Sequence, residues 1–168
     1  GRLYNVPGRT GLNILPKTCY ELSKIPNIVA IKEASGDISQ VAEIASLCRD
    51  NLWIYSGNDG EILPILSLGG IGVISVLANI IPNDVHKMVM SFLEGNINEA
   101  RKIQLDTLKL SKALFSEVNP IPVKAACNML GFNAGIPRMP LIEMSEEGKK
   151  ELKKEIQKYK VKTLKKTK

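Results

Sequence analysis

The chain has 168 residues, 44% of them hydrophobic, which is enough apolar material for one compact domain but not for two independent cores. No apolar run is long enough to span a membrane, and the first residues lack the charged-then-apolar pattern of a signal peptide, so we expect a cytoplasmic protein. The net charge of +6 does not indicate a nucleic-acid partner, because residues 149–168 hold ten lysines against two glutamates and the rest of the chain sums to −2.

Cysteine and histidine usage argues against two further kinds of site. Cys19, Cys48 and Cys127 lie far apart in the sequence, which indicates reduced thiols rather than a disulfide framework or a zinc site. The single histidine, His86, has Met90 where a second metal ligand would lie at helical spacing, so we interpret it as structural. We therefore expect no metal.

Strands and helices alternate along the first part of the chain, and the turn-rich residues 7–11 are predicted to form a loop. The predicted strands are 3–6, 28–31, 53–55 and 72–76, and the predicted helices are 16–23, one after an N-cap at Asp37 or Ser39, 61–68 after a cap at Asp59, and one from 83 or 84 to 93. Repeats spaced by about 25 residues predict parallel strands with crossover helices, because hairpins cannot join parallel neighbours.

The remainder of the sequence is predicted to be helical. The predicted helices are 98–115, 123–130 and 145–159, the last with Ser145 as its N-cap. We therefore divide the chain into an α/β part, residues 1–95, and a C-terminal helical region with a lysine-rich tail, residues 96–168.

Lys32 is the first catalytic candidate. It follows Ile28–Ile31, an apolar run without polar alternation, which is typical of a strand covered on both faces. Parallel barrels and open α/β sheets keep their chemistry at the carboxyl ends of such strands. A lysine amine withdrawn from water is more easily neutral, and the neutral amine can attack a carbonyl carbon to form a Schiff base. The alternative is a strand-end lysine that simply reaches water.

Tyr4 and Arg9 are further site candidates, because they lie at and just after the carboxyl end of the first predicted strand. Taken singly, Tyr4 fits a packing residue and Arg9 a surface charge. Their occurrence together with Lys32, each at the carboxyl end of its strand, favours a shared site.

Three segments together carry a family resemblance. They are YNVPGRTG at 4–11, IKEASGD at 31–37 and SGNDGEILPILSLGGIGVISVLANIIP at 56–82, and they resemble the dihydrodipicolinate synthase family of pyruvate-dependent class I lyases in order and spacing. Residues 119–131, NPIPVKAACNMLG, resemble the C-terminal helical region of that family. Sialic-acid lyases and related aldolases share the tyrosine and the lysine, but Arg9, Thr10 and Gly11 favour the synthase branch.

The resemblance implies half of a (β/α)8 TIM barrel, natural or engineered. The family fold is an eight-stranded barrel followed by helices, and such barrels usually need about 250 residues, whereas four strands are predicted in this chain. The missing half would contain a threonine pair and a second tyrosine of the family's proton relay. We therefore expect weak or absent activity for this chain alone.

The resemblance also assigns roles to individual residues. Lys32 would form a covalent imine with pyruvate and then an enamine that attacks aspartate semialdehyde, a step of lysine and diaminopimelate biosynthesis that needs no cofactor. Tyr4 would relay protons, Arg9 would hold a substrate carboxylate, and Gly57 and Ile74 would contribute main-chain groups beside the pyruvate.

Two other interpretations stay open at this point. The exposed edges and inner face of a half-barrel predict a homo-oligomer, a dimer or a tetramer, so the chain is alternatively a non-catalytic fragment that self-associates. The other alternative is a related pyruvate-dependent aldolase with a different aldehyde partner, such as an N-acetylneuraminate lyase-like enzyme.

Overall fold

The computed structural model of the protein describes residues 1–161, and residues 162–168 of the predicted lysine-rich tail lie outside the described residues. The strands are β1 Arg2–Asn5, β2 Ala30–Glu33, β3 Trp53–Ser56 and β4 Gly72–Val73. The helices are α1 Pro7–Thr10, α2 Pro16–Ser23, α3 Ile38–Cys48, α4 Ile62–Ser67, α5 Pro82–Leu93, α6 Ile97–Ala113, α7 Ile121–Met129 and α8 Glu146–Tyr159. Within the described residues, no helix is both long and apolar enough to cross a bilayer.

The chain forms two compact units. The first contains residues 1–75 and 89–101, and the second contains residues 76–88 and, of the described residues, 102–161. The boundary that the sequence predicts between residues 95 and 96 stays a prediction.

The four strands form one parallel sheet in the order β1-β2-β3-β4. Tyr4 pairs with Lys32 and Lys32 pairs with Tyr55, while on the next rung Asn5 pairs with Glu33 and Glu33 with Ser56. The parallel strands with crossover helices that the sequence predicts are therefore present. Because neighbours in the sheet are also neighbours in the sequence, each strand end lies beside the end of the next one.

The core of the first unit lies between the sheet and its helices. Ile31 and Ile54 of the sheet pack with residues of α2, α3 and α4, and the buried cluster is Cys19, Ile31, Val41, Ile44, Cys48, Leu52, Ile54 and Ile65. Burying one such isoleucine stabilises the fold by about 1.5–3 kcal/mol. The sheet residues that alternate with Ile31 and Ile54, such as Lys32 and Tyr55, therefore belong to the opposite face.

Several predicted helix limits are confirmed. The helix from Pro16 to Ser23 has the predicted limits, and Asp37 rather than Ser39 is the N-cap of α3, since its Oδ1 accepts a hydrogen bond from the N–H of Gln40 at 3.0 Å. Ser145 caps α8 through its Oγ, which accepts from the N–H of Gly148 at 3.0 Å.

Two predictions for the first unit were wrong in local detail. Residues 7–11 are not all loop, because Pro7–Thr10 form one helical turn that Gly11 ends with a φ of +70°. Asp59 does not cap the next helix. Asn58 instead caps a 3-10 turn, Asp59–Glu61, because its Oδ1 accepts from the N–H of Gly60 at 3.2 Å, and α4 follows this turn with Glu61 at its N-cap position.

Strand limits also differ from the predicted ones. β2 begins at Ala30 and continues through Glu33, because β1 extends to Asn5 and pairs with that segment, so Lys32 lies within the strand rather than after it. β4 is limited to Gly72–Val73, and the chain enters a 3-10 turn at Leu77–Asn79.

The second unit is built from helices. Leu110, Leu114, Leu130 and Leu152 are among its fully buried side chains. The Tyr159 hydroxyl of α8 donates a hydrogen bond to Oδ2 of Asp84, in the first turn of α5, at 3.2 Å. The predicted helices after residue 97 are thus present, with limits shifted by one or two residues at most of their ends.

Candidate active site

Lys32 and Tyr4 lie side by side on one face of the sheet. They are register partners on neighbouring parallel strands, so their side chains leave the sheet in the same direction. The Lys32 Nζ lies 4.1 Å from the centroid of the Tyr4 ring. Tyr4 is 48% exposed and Lys32 is partly buried. The structure therefore brings the two predicted catalytic residues together at an accessible position near the carboxyl edge of the sheet.

Gly57 lies directly against the lysine side chain. A Cβ built at Gly57 would be 2.8 Å from the Ala34 Cβ, which is too close for a real side chain, and 3.0 Å from the Lys32 Cε, which is tight enough that the lysine would have to shift. The Gly57 N–H donates to the Glu33 carbonyl at 2.7 Å. Glycine at this position thus leaves the space that the Lys32 side chain needs.

Ile74 lies just beyond the end of β4. Its N–H donates to the Ser56 carbonyl at 2.9 Å, and its side chain is 39% exposed. The N–H groups of Gly57 and Ile74 are therefore both used within the sheet. If these two residues offer main-chain groups to a ligand, their carbonyl oxygens are the ones to consider.

Arg9 lies in α1, the turn that follows β1, and is exposed. Its N–H donates to the Val6 carbonyl at 2.9 Å, which closes the turn. The structure places Arg9 five residues after Tyr4 on the connection that leaves the same end of the strand. Contacts join Lys32 to Tyr4 and to the Gly57 position, while Arg9 lies in the helical turn after β1 and Ile74 directly follows β4.

Tyr55 was missed by the sequence analysis. It is the register partner of Lys32 on β3, so the lysine has a tyrosine on each neighbouring strand. Its ring packs over Gly72, where an added Cβ would lie 3.4 Å from two ring carbons. Ile54 and Ser56 are buried on either side of Tyr55, and this alternation indicates that Tyr55 lies on the opposite face of the strand. Only the pairing register between β2 and β3 places the Tyr55 ring beside the lysine.

A buried polar pair lies behind the catalytic candidates. Asn5 is 0% exposed and Glu33 is 1% exposed, and the Asn5 Nδ2 donates to both carboxylate oxygens of Glu33 at 3.2 Å. The Ser35 N–H donates to the Glu33 Oε1 at 2.7 Å. The carboxylate is therefore held by an amide and a main-chain N–H at the end of β2.

The polar cluster continues from Asn5 into the next loop and helix. The Ile14 N–H donates to the Asn5 Oδ1 at 2.9 Å, and the Asn5 Nδ2 also donates to the Asn13 Oδ1 at 2.9 Å. Asn13 in turn exchanges two side-chain hydrogen bonds with Gln40 of α3, at 2.8 and 3.1 Å. These bonds connect β1, β2, the loop before α2 and the start of α3.

Titratable groups near Glu33 are shifted toward their neutral forms. Burial and then the negative charge of Glu33 raise the pKa of the Glu61 carboxyl. Burial raises the pKa of the Cys19 thiol to about 12, with smaller contributions from Cys48 and Glu33. Cys19 is therefore a thiol and not a thiolate nucleophile at neutral pH. Among residues 1–161, no group of three His, Cys, Asp or Glu side chains could hold a metal ion.

Known proteins resemble this chain in both sequence and fold. Residues 2–159 match the family model described as the dihydrodipicolinate synthetase family. The chain is 62% identical to the 4-hydroxy-tetrahydrodipicolinate synthase of Caldicellulosiruptor saccharolyticus over 157 residues, which are 94% of this chain and 53% of the relative. It is 60% identical to 4-hydroxy-tetrahydrodipicolinate synthase 1 of Clostridium acetobutylicum, covering 94% of this chain and 54% of the relative.

Solved structures give the same result for the fold. The dihydrodipicolinate synthase of Aquifex aeolicus superposes with a TM-score of 0.92 at 38% identity, covering 98% of this chain and 56% of that chain. That of Thermotoga maritima superposes with a TM-score of 0.92 at 39% identity, covering 95% and 55%. The chain thus spans about half the length of the relatives that it matches, and the predicted half-barrel followed by helices is confirmed.

Proposed function

The chain belongs to the dihydrodipicolinate synthetase family, and on this basis we propose that it carries the lysine-bearing half of a Schiff-base lyase that condenses pyruvate with aspartate semialdehyde in lysine and diaminopimelate biosynthesis. One observation carries the proposal. The Lys32 amine lies 4.1 Å from the centre of the Tyr4 ring, near the carboxyl edge of a parallel sheet, beside a glycine that leaves room for it. This edge is the site of chemistry in parallel barrels.

The first chemical step belongs to Lys32. Its neutral amine attacks the ketone carbon of pyruvate, and loss of water from the carbinolamine gives an imine. Removal of a proton from the neighbouring methyl carbon gives an enamine, whose carbon attacks the aldehyde carbon of aspartate semialdehyde. The nitrogen takes up and returns the electron pair, so no separate cofactor enters the proposal.

The other site residues have supporting roles in this proposal. Tyr4 gives and takes the protons of the carbinolamine and imine steps, because its hydroxyl is both a donor and an acceptor. Arg9 binds the carboxylate of the aldehyde substrate through two parallel hydrogen bonds. The carbonyl oxygens of Gly57 and Ile74 border the pyruvate.

Trapping of the imine tests the proposal directly. The protein is incubated with pyruvate and borohydride, digested, and analysed by mass spectrometry. We expect one reduced pyruvyl group on the Lys32 peptide and none in Lys32→Arg, which keeps the charge but cannot form the imine. Lys24 is an internal control, because its Nζ lies 4.3 Å from the Tyr20 ring centroid at the exposed end of a helix. An unmodified Lys32, or equal labelling of Lys24, would contradict the proposal.

Turnover is tested by supplying the rest of the barrel. The relative from C. saccharolyticus is 62% identical over the matched half, so its amino-terminal half is a suitable complement. We expect condensation of pyruvate with aspartate semialdehyde to increase strongly when the two halves are mixed, and not to increase with Lys32→Arg. If Arg9→Ala leaves the KM for aspartate semialdehyde unchanged, the aldolase alternative with another aldehyde replaces the synthase assignment.

A specific observation favours self-association as a second property. Two aromatic side chains lie exposed on the face of the sheet that carries Lys32: Tyr4 is 48% exposed and Trp53 is 56% exposed. Within the described residues, β1 and β4 each pair with a single strand. We propose that copies of the chain associate through this face and these edges. If oligomers form while Lys32 takes up no pyruvate, the non-catalytic fragment is the better description.

A further inference from the structure

We infer that Asn5 and Glu33 form a positioning pair that aligns Tyr4 with Lys32 from the opposite face of the sheet. The inference rests on the proposed function, because it concerns the same lysine. The two pairs occupy successive rungs of one parallel ladder, with Tyr4 opposite Lys32 and Asn5 opposite Glu33. Successive residues of a strand point to opposite faces and are separated by about 3.3 Å. A hydrogen bond that holds Asn5 opposite Glu33 therefore also holds Tyr4 opposite Lys32.

The pair is well suited to hold this register. Its members are 0% and 1% exposed, and the Asn5 Nδ2 reaches both carboxylate oxygens of Glu33 at 3.2 Å. Hydrogen bonds to an ionised partner are stronger than those between neutral groups. A slip of one strand along the other would break these bonds and leave the buried carboxylate with the Ser35 N–H but without the Asn5 amide, which is costly.

The orientation of the Asn5 amide is itself fixed. The Ile14 N–H donates to the Asn5 Oδ1, so the Nδ2 must face Glu33. The carboxylate is fixed in turn by the Ser35 N–H at 2.7 Å. The Ile14 and Ser35 N–H groups thus make Asn5 the donor and Glu33 the acceptor of the pair. The pair can therefore be tested by exchanging the amide and the carboxylate between positions 5 and 33.

The test uses two single variants and their combination. In Asn5→Asp a second carboxylate replaces the amide and faces Glu33. The hydrogen bonds between the two strands are lost, and two carboxylates oppose each other. In Glu33→Gln the side-chain oxygen keeps the Ser35 N–H and one bond from the Asn5 amide, whereas the new NH2 group faces the Asn5 NH2 group, so the second bond is replaced by two opposed donors. In the double variant the amide introduced at position 33 donates to the carboxylate introduced at position 5, and the Ile14 and Ser35 N–H groups keep their acceptors. The bond from position 5 to the Asn13 Oδ1 is lost equally in Asn5→Asp and in the double variant, so comparing these two isolates the pair.

Matched controls make the same chemical changes away from the pair. Asn51→Asp and Glu43→Gln alter exposed side chains, so they change the net charge of the protein as the test variants do. An effect of charge alone would appear in these controls, whereas an effect of the pair would not.

The first measurement is the rate of borohydride trapping as a function of pyruvate concentration, at a temperature at which circular dichroism shows every variant folded. Displacing a reacting group by about 1 Å can cost about 10²-fold in rate. We expect the maximal trapping rate of Asn5→Asp to fall by about this factor, that of Glu33→Gln to fall less, and the double variant to recover most of the loss. A pair with only a structural role would lower stability and leave the rate per folded molecule unchanged.

The second measurement does not need pyruvate. Protons above an aromatic ring are shifted upfield by its ring current, so the Lys32 Cε protons, like those of Lys24 at the Tyr20 ring, should resonate upfield of the ordinary lysine position. They are assigned by their loss in Lys32→Arg. Asn5→Asp should move this signal to the ordinary lysine position, and the double variant should move it back.

The outcomes separate the two proposals. If wild-type Lys32 traps no pyruvate but its proton signal follows the exchange of Asn5 and Glu33, the proposed function fails and the positioning pair stands. If the folded single variants keep the wild-type trapping rate and the wild-type signal, the positioning pair is refuted and the proposed function stands. Failure of the folded double variant to recover either measurement also refutes the pair.

Discussion

The space around the Lys32 side chain is set by a single missing carbon atom. At Gly57, an added Cβ would overlap the Ala34 Cβ at 2.8 Å and press on the Lys32 Cε at 3.0 Å. The resemblance predicted a role for Gly57 beside the pyruvate, and the structure adds that a side chain there would force a shift of Ala34 and crowd the proposed nucleophile. Glycine at position 57 is thus explained by packing alone, before any substrate is considered.

Gly57→Ala should therefore impair both stability and imine formation. Inserting a carbon into a packed site costs about 1–3 kcal/mol, and a displaced Lys32 should trap pyruvate more slowly. Urea denaturation and borohydride trapping measure the two effects. Gly8→Ala is the matched control, because nothing lies within 4 Å of its added Cβ. A Gly57→Ala protein with wild-type stability and trapping would show that the site tolerates the carbon.

The contribution of the Tyr4 hydroxyl to the reaction can be measured separately from that of the Tyr4 ring. Tyr4→Phe keeps the ring that lies 4.1 Å from the Lys32 Nζ and removes the proposed proton relay. Exchange of the pyruvate methyl protons with deuterium, followed by NMR, reports enamine formation. We expect this exchange to slow by about 10²-fold or more, the usual contribution of a positioned acid or base. Tyr20→Phe serves as the control, and an unchanged exchange rate in Tyr4→Phe would assign the proton transfer elsewhere.

At the scale of the element, the helix after the lysine strand begins at one specific side chain. The sequence left Asp37 and Ser39 open as N-caps of α3, and the structure selects Asp37 through its bond to the Gln40 N–H. The cap is important for the site because Gln40 also bonds Asn13, which bonds Asn5. The start of α3 is thereby connected to the polar cluster behind Lys32.

Asp37→Ala should lower the free energy of unfolding by about 1 kcal/mol, the usual cost of losing an N-cap. Ser39→Ala is the matched control and should change it by less than about 0.5 kcal/mol, as is common for substitutions that remove no cap or core contact. Chemical denaturation of both variants measures the difference. Equal losses would mean that Asp37 has no special role as the cap.

The contact between α8 and α5 should depend on pH. Burial, together with the charge of Asp84 and its hydrogen bond, raises the pKa of Tyr159 to about 12 from an ordinary value of 10.0. The folded state therefore keeps the phenol proton longer than the unfolded state does. The stabilisation is fully present below pH 10 and is lost as the pH rises toward 12.

Tyr159→Phe isolates this effect from other groups that titrate at high pH. The difference in unfolding free energy between wild type and the variant should be constant below pH 10 and should shrink between pH 10 and 12. Denaturation at several pH values, with Tyr20→Phe as a control, gives this difference. If the difference in unfolding free energy grew with pH instead, the pKa of Tyr159 would be lowered by folding, which would contradict the assigned contact.

At the scale of the molecule, the sheet presents aromatic side chains on the face that carries Lys32. Trp53 is 56% exposed, and its register partner Ala30 lies two residues before Lys32 on β2, so Trp53 and Lys32 share one face of the sheet. Exposed apolar faces and open strand edges promote association. The same surface therefore serves the proposed chemistry and the proposed oligomer.

Size-exclusion chromatography with light scattering tests the association. We expect a dimer or tetramer at micromolar concentration, and Trp53→Asp should shift it toward the monomer because a charge on this face opposes its burial. Leu105→Asp is the control, since Leu105 is a similarly exposed apolar residue on α6. A wild-type monomer under these conditions would count against the oligomer.

Local chemistry made much of the fold readable from the sequence. The limits of α2, the caps Asp37 and Ser145, and the alternation of strands and helices follow from proline, capping side chains and apolar periodicity, which act over a few residues. The identity of Lys32 and Tyr4 as site candidates followed from their places at strand ends and from the family resemblance.

The tertiary structure decided which residues meet. The Asn5 to Glu33 bond joins residues 28 positions apart, and the place of Tyr55 beside Lys32 depends on the register between two strands. A register shift of one residue would reverse the face of every side chain, and no local pattern encodes which rung pairs with which. The sequence by itself therefore determined the elements and the candidate nucleophile, whereas strand pairing and core packing determined the surroundings in which that nucleophile is held.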